Sequence, residues 1–324
     1  VKNTSDRLEQ LFSNPTGEYY PVPWWAWNGR LTPEKMRAHI KMMYDQGLRE
    51  FFIFPLYGME TEYLGEDYFR DIEFTLNECR KLGMKIWIYD EFNWPSGMAG
   101  GRIPRLHPEA IGHEVRVYEH SNLSQEKFDE MMDDCCVIHA AAFKPDGTMQ
   151  PVRKGDQVHS KLAVYRVERD NCVSITSYGS LWCIPERGML DMLSIPAVGK
   201  FIEEAYEPFA KRFSGDCGTT IKGFFTDEPV MGFWGELPWT DDIAARFMDR
   251  YGYDLIPRIH DLTYETPGFE RTRAHYWALV SDIEANVYMG QIADWCETRG
   301  MQITGHLSFE EGSMSIWCHG DTPR

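Results

Sequence analysis

Three short apolar runs recur in the first hundred residues, at starts of roughly 20, 50 and 85, and this spacing constrains the fold more than any other feature. The runs are the aromatic stretch Tyr19 to Trp27, Phe51-Phe52-Ile53-Phe54, and Lys85-Ile86-Trp87-Ile88-Tyr89. A period near 30 to 35 residues is the length of one βα unit. Runs apolar at nearly every position belong to strands covered on both faces. The segments between them read as helices. Thr32 is an N-cap and Pro33 a first helical residue, and that helix reaches about Gln46 and stops at Gly47. A second helix covers about Asp67 to Leu82 and ends at Gly83. Strands joined this way are parallel neighbours with right-handed crossovers.

The period breaks at the glycine-rich loop Pro95 to Gly101. From about 112 to 185 the text changes to Glu114–Tyr118, Cys136–Ala140 and Lys161–Tyr165, separated by turn signals such as Pro145-Asp146-Gly147. These read as an inserted antiparallel β subdomain. The βα pattern then resumes with a helix near Val198 to Phe213 and a fourth strand, Ile221 to Thr226. A helix capped by Thr240-Asp241-Asp242, a long helical stretch near Arg271 to Thr298 and a fifth strand, Met301 to Leu307, follow. The expected fold is α/β, a (β/α)₈ barrel of which about five βα units are visible. A doubly wound sheet is the alternative. The expected organisation is 1–111 for the first three units, 112–187 for the insertion and 188–324 for strands four and five, the chain stopping inside the barrel.

Composition narrows the partners. With 50 Asp+Glu against 33 Lys+Arg the net charge is −17, which argues against a nucleic-acid or anionic-membrane surface. No run of about 18 apolar residues is present, so no membrane span is expected. The start VKNTSDRLEQLF has no signal-peptide order, and the eight cysteines form no C-x-x-C, so a cytoplasmic setting is expected. Aromatic residues reach 14%, enough for a packed core with rings to spare for a sugar-stacking site.

In barrels of this kind the site lies at the carboxyl ends of the strands. This sequence puts Trp24, Trp25, Trp27 and Asn28 after strand one, Asp90, Glu91 and Trp94 after strand three, and Asp227 and Glu228 after strand four. His306, Glu310 and Glu311 follow strand five. Carboxylates and aromatic faces on one rim are what glycoside hydrolysis needs: a proton donor, a base or nucleophile, and platforms for the sugar. Glu228, Glu91 and Glu310 are therefore the catalytic candidates. Trp24, Trp25, Trp27, Asn28, Asp90, Trp94, Asp227 and His306 are the substrate-binding ones. The loop Trp94 to Gly101 lacks both phosphate-binding spacings and reads as a turn supporting the rim. No cofactor is called for. Carboxylates can hold Ca²⁺, but no ligand spacing here demands it.

Tyr89-Asp90-Glu91-Phe92-Asn93-Trp94-Pro95-Ser96-Gly97-Met98-Ala99-Gly100-Gly101, with Phe225-Thr226-Asp227-Glu228-Pro229 and Thr304-Gly305-His306, resembles bacterial barrel enzymes related to glycoside hydrolase family 106, the α-L-rhamnosidases. The resemblance spans about residues 20 to 320. Asp227-Glu228-Pro229 is also similar to the Asn-Glu-Pro that ends strand four in the large retaining barrel clan, with Asp here in place of Asn. The resemblance implies an exo-acting glycosidase with a carbohydrate substrate and Glu228 as proton donor, leaving retention or inversion open. The alternatives are a non-catalytic carbohydrate-binding barrel and a metal-dependent isomerase or lyase.

Overall fold

A computed structural model of the chain describes residues 2–13, 20–169, 188–229 and 237–307. Helix α1 (Lys2–Ser13) precedes β1 (Trp24–Trp27), α2 (Pro33–Asp45), β2 (Glu50–Pro55), α3 (Glu66–Leu82) and β3 (Lys85–Tyr89). After α4 (Arg102–Leu106) come β4 (His113–His120), α5 (Gln125–Met131), β5 (Val137–Phe143), β6 (Met149–Pro151) and β7 (Leu162–Arg169). Helices α6 (Ile195–Ala205) and α7 (Glu207–Arg212) lead to β8 (Ile221–Asp227) and β9 (Leu237–Trp239). Then follow α8 (Ile243–Tyr251), a 3₁₀ stretch (Ile256–Leu262), α9 (Phe269–Glu284), a π-helical turn (Ala285–Met289), α10 (Gly290–Glu297) and β10 (Gln302–His306).

The local signals act as expected. Thr32 Oγ1 accepts from Lys35 N–H at the start of α2, with Pro33 as the first helical residue. Gly83 takes the left-handed conformation that ends α3. The helix expected over about 198–213 is two helices, because Pro208 cannot donate back into the turn that precedes it.

Two five-stranded sheets result. One is parallel, in the order β1-β2-β3-β8-β10; the other is antiparallel, in the order β6-β5-β7-β4-β9. The second sheet takes its edge strand β9 from beyond β8, with His113 opposite Trp239. The two sheets share one hydrophobic core: Val115, Ala163, Tyr165, Leu237 and Trp239 join the cluster that packs the helices against the parallel strands.

The parallel sheet is strongly curled. Strands lie about 4.8 Å apart, so its two edge strands would be roughly 19 Å apart if flat. The Trp24 ring on β1 nevertheless stacks on His306 of β10 with centroids 6.1 Å apart, and meets Phe225 of β8 at 5.0 Å. Alternation gives the sheet two faces. Trp24, Phe52, Trp87, Tyr89 and Phe225 fill the concave one. Trp25, Trp27, Phe51, Ile53, Ile86, Ile88 and Phe224 face the helices. A bulge at Ile86/Trp87 opposite β8 lets Lys222 reach Glu50 at 3.0 Å, and Trp87 Nε1–H donates to the same carboxylate. That cluster closes the amino-terminal end of the concave face.

Close approach of β8 and β10 depends on Gly223, where an added Cβ would lie 2.0 Å from the Gln302 carbonyl oxygen and 2.7 Å from the Trp87 ring. The Gly223→Ala variant should lose roughly 3 kcal/mol or more of stability, because backbone has to move to admit one methyl group. Urea unfolding measures it; an unchanged midpoint would mean that the strands separate at no cost.

Candidate active site

The carboxyl ends of β3, β8 and β10 bring together a phenol, the Asp227 carboxylate and an imidazole, with Glu228 directly after β8; the ring of Trp24, the first residue of β1, reaches His306 across the concave face. Tyr89 and Asp227 are inward-facing positions of adjacent strands. The buried Tyr89 hydroxyl donates to Asp227 Oδ2 at 2.7 Å. His306 Nδ1 lies 3.4 Å from Asp227 Oδ1, and its ring is half exposed beside Trp24. Burial and the Asp227 charge hold the Tyr89 phenol well above its ordinary value, so it stays a hydrogen-bond donor. Trp24 is 39% exposed, the concave-face ring open to a ligand.

Glu228 comes directly after β8. Its φ is +45°, a left-handed conformation that costs a non-glycine residue about 1 kcal/mol or more. Its N–H donates to the His306 carbonyl at 2.9 Å, so the turn is tied to the next strand. Its side chain is half-buried. A strained turn that directs a carboxylate at the end of a buried strand is a common device of functional sites.

Asp90 and Glu91 have another task. Glu91 is 1% exposed and accepts N–H groups from Phe92, Gly97, Met98, Ala99 and Gly100, at 2.7 Å for Ala99 and 2.8 Å for Met98. One carboxylate thus satisfies five backbone donors of the loop after β3. Burial pushes it up to about 8 against the pull of these amides. Asp90 is fully buried on the helix-facing side. It accepts from Ser96 Oγ and from the Tyr206 hydroxyl, each at 2.5 Å. Thr226 bonds it as well, and burial raises it to about 7 despite these bonds. Ser96 also accepts from Asp227 N–H at 2.7 Å, and its own N–H donates to the Asp227 carbonyl at 2.8 Å. The loop is thereby stitched to the end of β8.

Of the residues singled out from sequence, Trp24, Asp227, Glu228 and His306 come together at this rim. Trp25 and Trp27 do not: they are odd positions of β1 and pack beneath the helices, Trp25 donating to His39 Nδ1 at 3.2 Å. Asp90 and Glu91 bind the loop and are closed to a ligand. Trp94 is half-buried against the core and Asn28 is exposed just after β1. Glu310 and Glu311 lie outside the described residues. Sequence reading missed Tyr89, taken there as one more apolar strand residue, and Ser96. Parity could have found Tyr89, since it shares the concave face with Trp87. Among the described residues, one group has donor atoms close enough to share an ion: Asp134, Cys135 and Cys136, between α5 and β5. No helix among the described residues is long and apolar enough to cross a membrane.

No protein-family model matches the chain. It is 21% identical to the "Putative beta-glucuronidase" of Formosa agariphila over 92% of its own length and 30% of that protein's. A solved rhamnosidase from Novosphingobium sp. PP1Y has the same fold: TM-score 0.61 at 13% identity, covering 93% of this chain and 47% of that one. A β-galactosidase from the haloarchaeon Halorubrum lacusprofundi superposes with TM-score 0.45 at 14% identity, over 89% of this chain and 36% of that one. The chain therefore spans about a third to a half of the length of these relatives.

Two expectations follow. Glu91→Gln puts an NH₂ group among five N–H donors and should cost roughly 2–3 kcal/mol, read as a lower urea midpoint and faster proteolysis within 92–101. Asp90 has a folded value raised from 3.8 to about 7. The folded chain therefore binds more protons there than the unfolded chain between those values, and stability falls as pH rises through that window. Urea midpoints at pH 5 and pH 8 should show this fall for the native chain and a smaller one for Asp90→Asn.

Proposed function

We propose that the chain is the catalytic part of a glycoside hydrolase, cleaving a terminal sugar from a glycan. The observation that carries the reading is the Asp227-Glu228 pair at the end of β8, beside an exposed indole face and a neutral phenol donor. Glu228 is the general acid that protonates the leaving oxygen. Asp227, fixed by Tyr89 and His306, receives a sugar hydroxyl, and Trp24 supports the ring face. Trp25, Trp27, Asp90 and Glu91 build the frame instead. The curled parallel sheet is read as five strands of a (β/α)₈ barrel, with 112–187 inserted after the third unit. The rhamnosidase fold supports this reading, and together with the Tyr-Asp-Glu and Trp-Pro-Ser-Gly signature it makes an α-L-rhamnoside the first substrate to test. A β-glucuronide is the second, from the Formosa agariphila relative.

A panel of aryl glycosides tests the proposal. The native chain should turn over one of them. Glu228→Gln should slow hydrolysis by about 10²- to 10⁴-fold when the leaving group needs a proton. It should slow a dinitrophenyl glycoside far less, since that leaving group departs unaided. Equal loss on both substrates would remove Glu228 from the proton-donor role. Sugar binding without any turnover would favour the non-catalytic barrel.

A further inference from the structure

The inserted sheet contains a segment whose chemistry the sugar site leaves unused. From Ser124 to Cys136 the chain has five acids, Glu126, Asp129, Glu130, Asp133 and Asp134, against the single base Lys127, and it ends on two adjacent cysteines. The structure brings the Asp134 carboxylate and the Cys135 and Cys136 thiols together in the turn between α5 and β5, with the three donor atoms all within 4.8 Å of one another. We propose that these three side chains form a site for a thiophilic divalent cation of the zinc and cadmium class, with solvent as the fourth ligand.

Adjacent residues of a strand point to opposite faces, so adjacent cysteines can share one ion only where the backbone turns. It turns here. Val137 N–H donates to the Asp134 carbonyl at 3.0 Å, and Cys136 N–H donates to Asp134 Oδ1 at 2.9 Å. The Cys136 carbonyl accepts from Val167 N–H at 2.8 Å, which fastens the turn to β7. The backbone is therefore set before any ion arrives, and binding has little ordering left to do. Metal–sulfur bonds of about 2.3 Å at a tetrahedral angle place two sulfurs about 3.8 Å apart. Closing from 4.8 Å or less to that spacing takes a shift of about 1 Å, which side-chain rotation at the exposed Cys135 supplies.

The donor set decides the ion. Two thiolates and one carboxylate suit zinc or cadmium, whereas calcium and magnesium take oxygen ligands. Each thiol gives up its proton to solvent as the metal–sulfur bond forms. Three anionic ligands around a divalent ion leave one negative charge, and Arg166 on β7 balances it from 2.8 Å beyond Asp134 Oδ2. A carboxylate oxygen has two lone pairs, so Asp134 keeps both of these hydrogen-bonding partners while it binds the ion. Among the described residues the other cysteines are Cys79 and Cys296, which are buried, and Cys217, whose thiol donates to the Phe213 carbonyl at 3.5 Å. A bound ion links the end of α5 to β7 through Asp134 and Arg166 and braces the inserted sheet.

Cadmium titration of the reduced chain tests the site, read by the sulfur-to-cadmium charge-transfer absorption and by equilibrium dialysis. One Cd²⁺ per chain should bind with an apparent Kd of about 1 μM or below. Zn²⁺ should displace it and Ca²⁺ should not. Cys135→Ser should weaken binding about a hundredfold or more, and Asp134→Asn about tenfold. The metal-free Cys135→Ser chain should keep the native urea midpoint, because the side chain is exposed, so lost binding reports the ligand and not the fold. Saturating Cd²⁺ should raise the midpoint of the native chain and not that of the variant. Absence of a charge-transfer band at one equivalent overturns the site. Equal binding by the native chain and Cys135→Ser overturns it as well, and assigns the ion to another cysteine. Unchanged affinity in Asp134→Asn removes the carboxylate and overturns the three-ligand site.

Discussion

The structure hangs on two adjacent buried carboxylates. Backbone amides that turn away from a sheet and find no partner cost free energy comparable to a lost hydrogen bond each. The loop after β3 has five such amides, and Glu91 receives all of them. Asp90 binds the same loop from the opposite side through Ser96, and secures α6 through the residue that ends it, Tyr206. Ser96 in turn grips both backbone polar groups of Asp227. The position of the site carboxylate is thus inherited, through one serine, from a pair of acids that never meet solvent.

Curling of the parallel sheet does the rest. It carries rings from distant strands into contact and leaves a concave face that is aromatic at depth and polar at its mouth. Tyr89 stands at that boundary, its ring packed on Phe225 at 5.9 Å and its hydroxyl on Asp227. A neutral donor at low dielectric localises the carboxylate charge more firmly than water would. Asp227 is consequently held from two sides, by a phenol beneath it and by His306 beside it.

Much of this could be read from the chain. Apolar runs at a fixed period, Thr32-Pro33 at a helix start and Gly83 at a helix end are local signals, and they set local structure. Parity was harder. Trp24, Trp25 and Trp27 look alike in sequence, yet a period of two sends only Trp24 inward. Asp90 and Glu91 looked like site residues because polar groups at a strand end usually face the rim, and only the course of the following loop reveals that it consumes them. The strand β9 is three residues long and owes its pairing to β4, a partner more than a hundred residues away in the chain. No local pattern announces such a partner.

The π-helical turn at Ala285–Met289 repays a closer look. In α9 the buried positions run Tyr276, Leu279, Val280, Ile283 and on to Val287, in step with 3.6 residues per turn. In α10 they are Ile292, Trp295 and Cys296, about one residue late for the same rhythm. The wider turn absorbs that residue, so both helices present their apolar stripe to the sheet while the extra residue, Tyr288, is added to the buried side. Its hydroxyl meets Thr226 at 2.8 Å, directly behind Asp90. The helix has in effect been given a phase slip, and the slack bought one more hydroxyl for the polar cluster behind the rim. A shortened relative could regularise the helix without turning either stripe away, and would surrender only that hydroxyl.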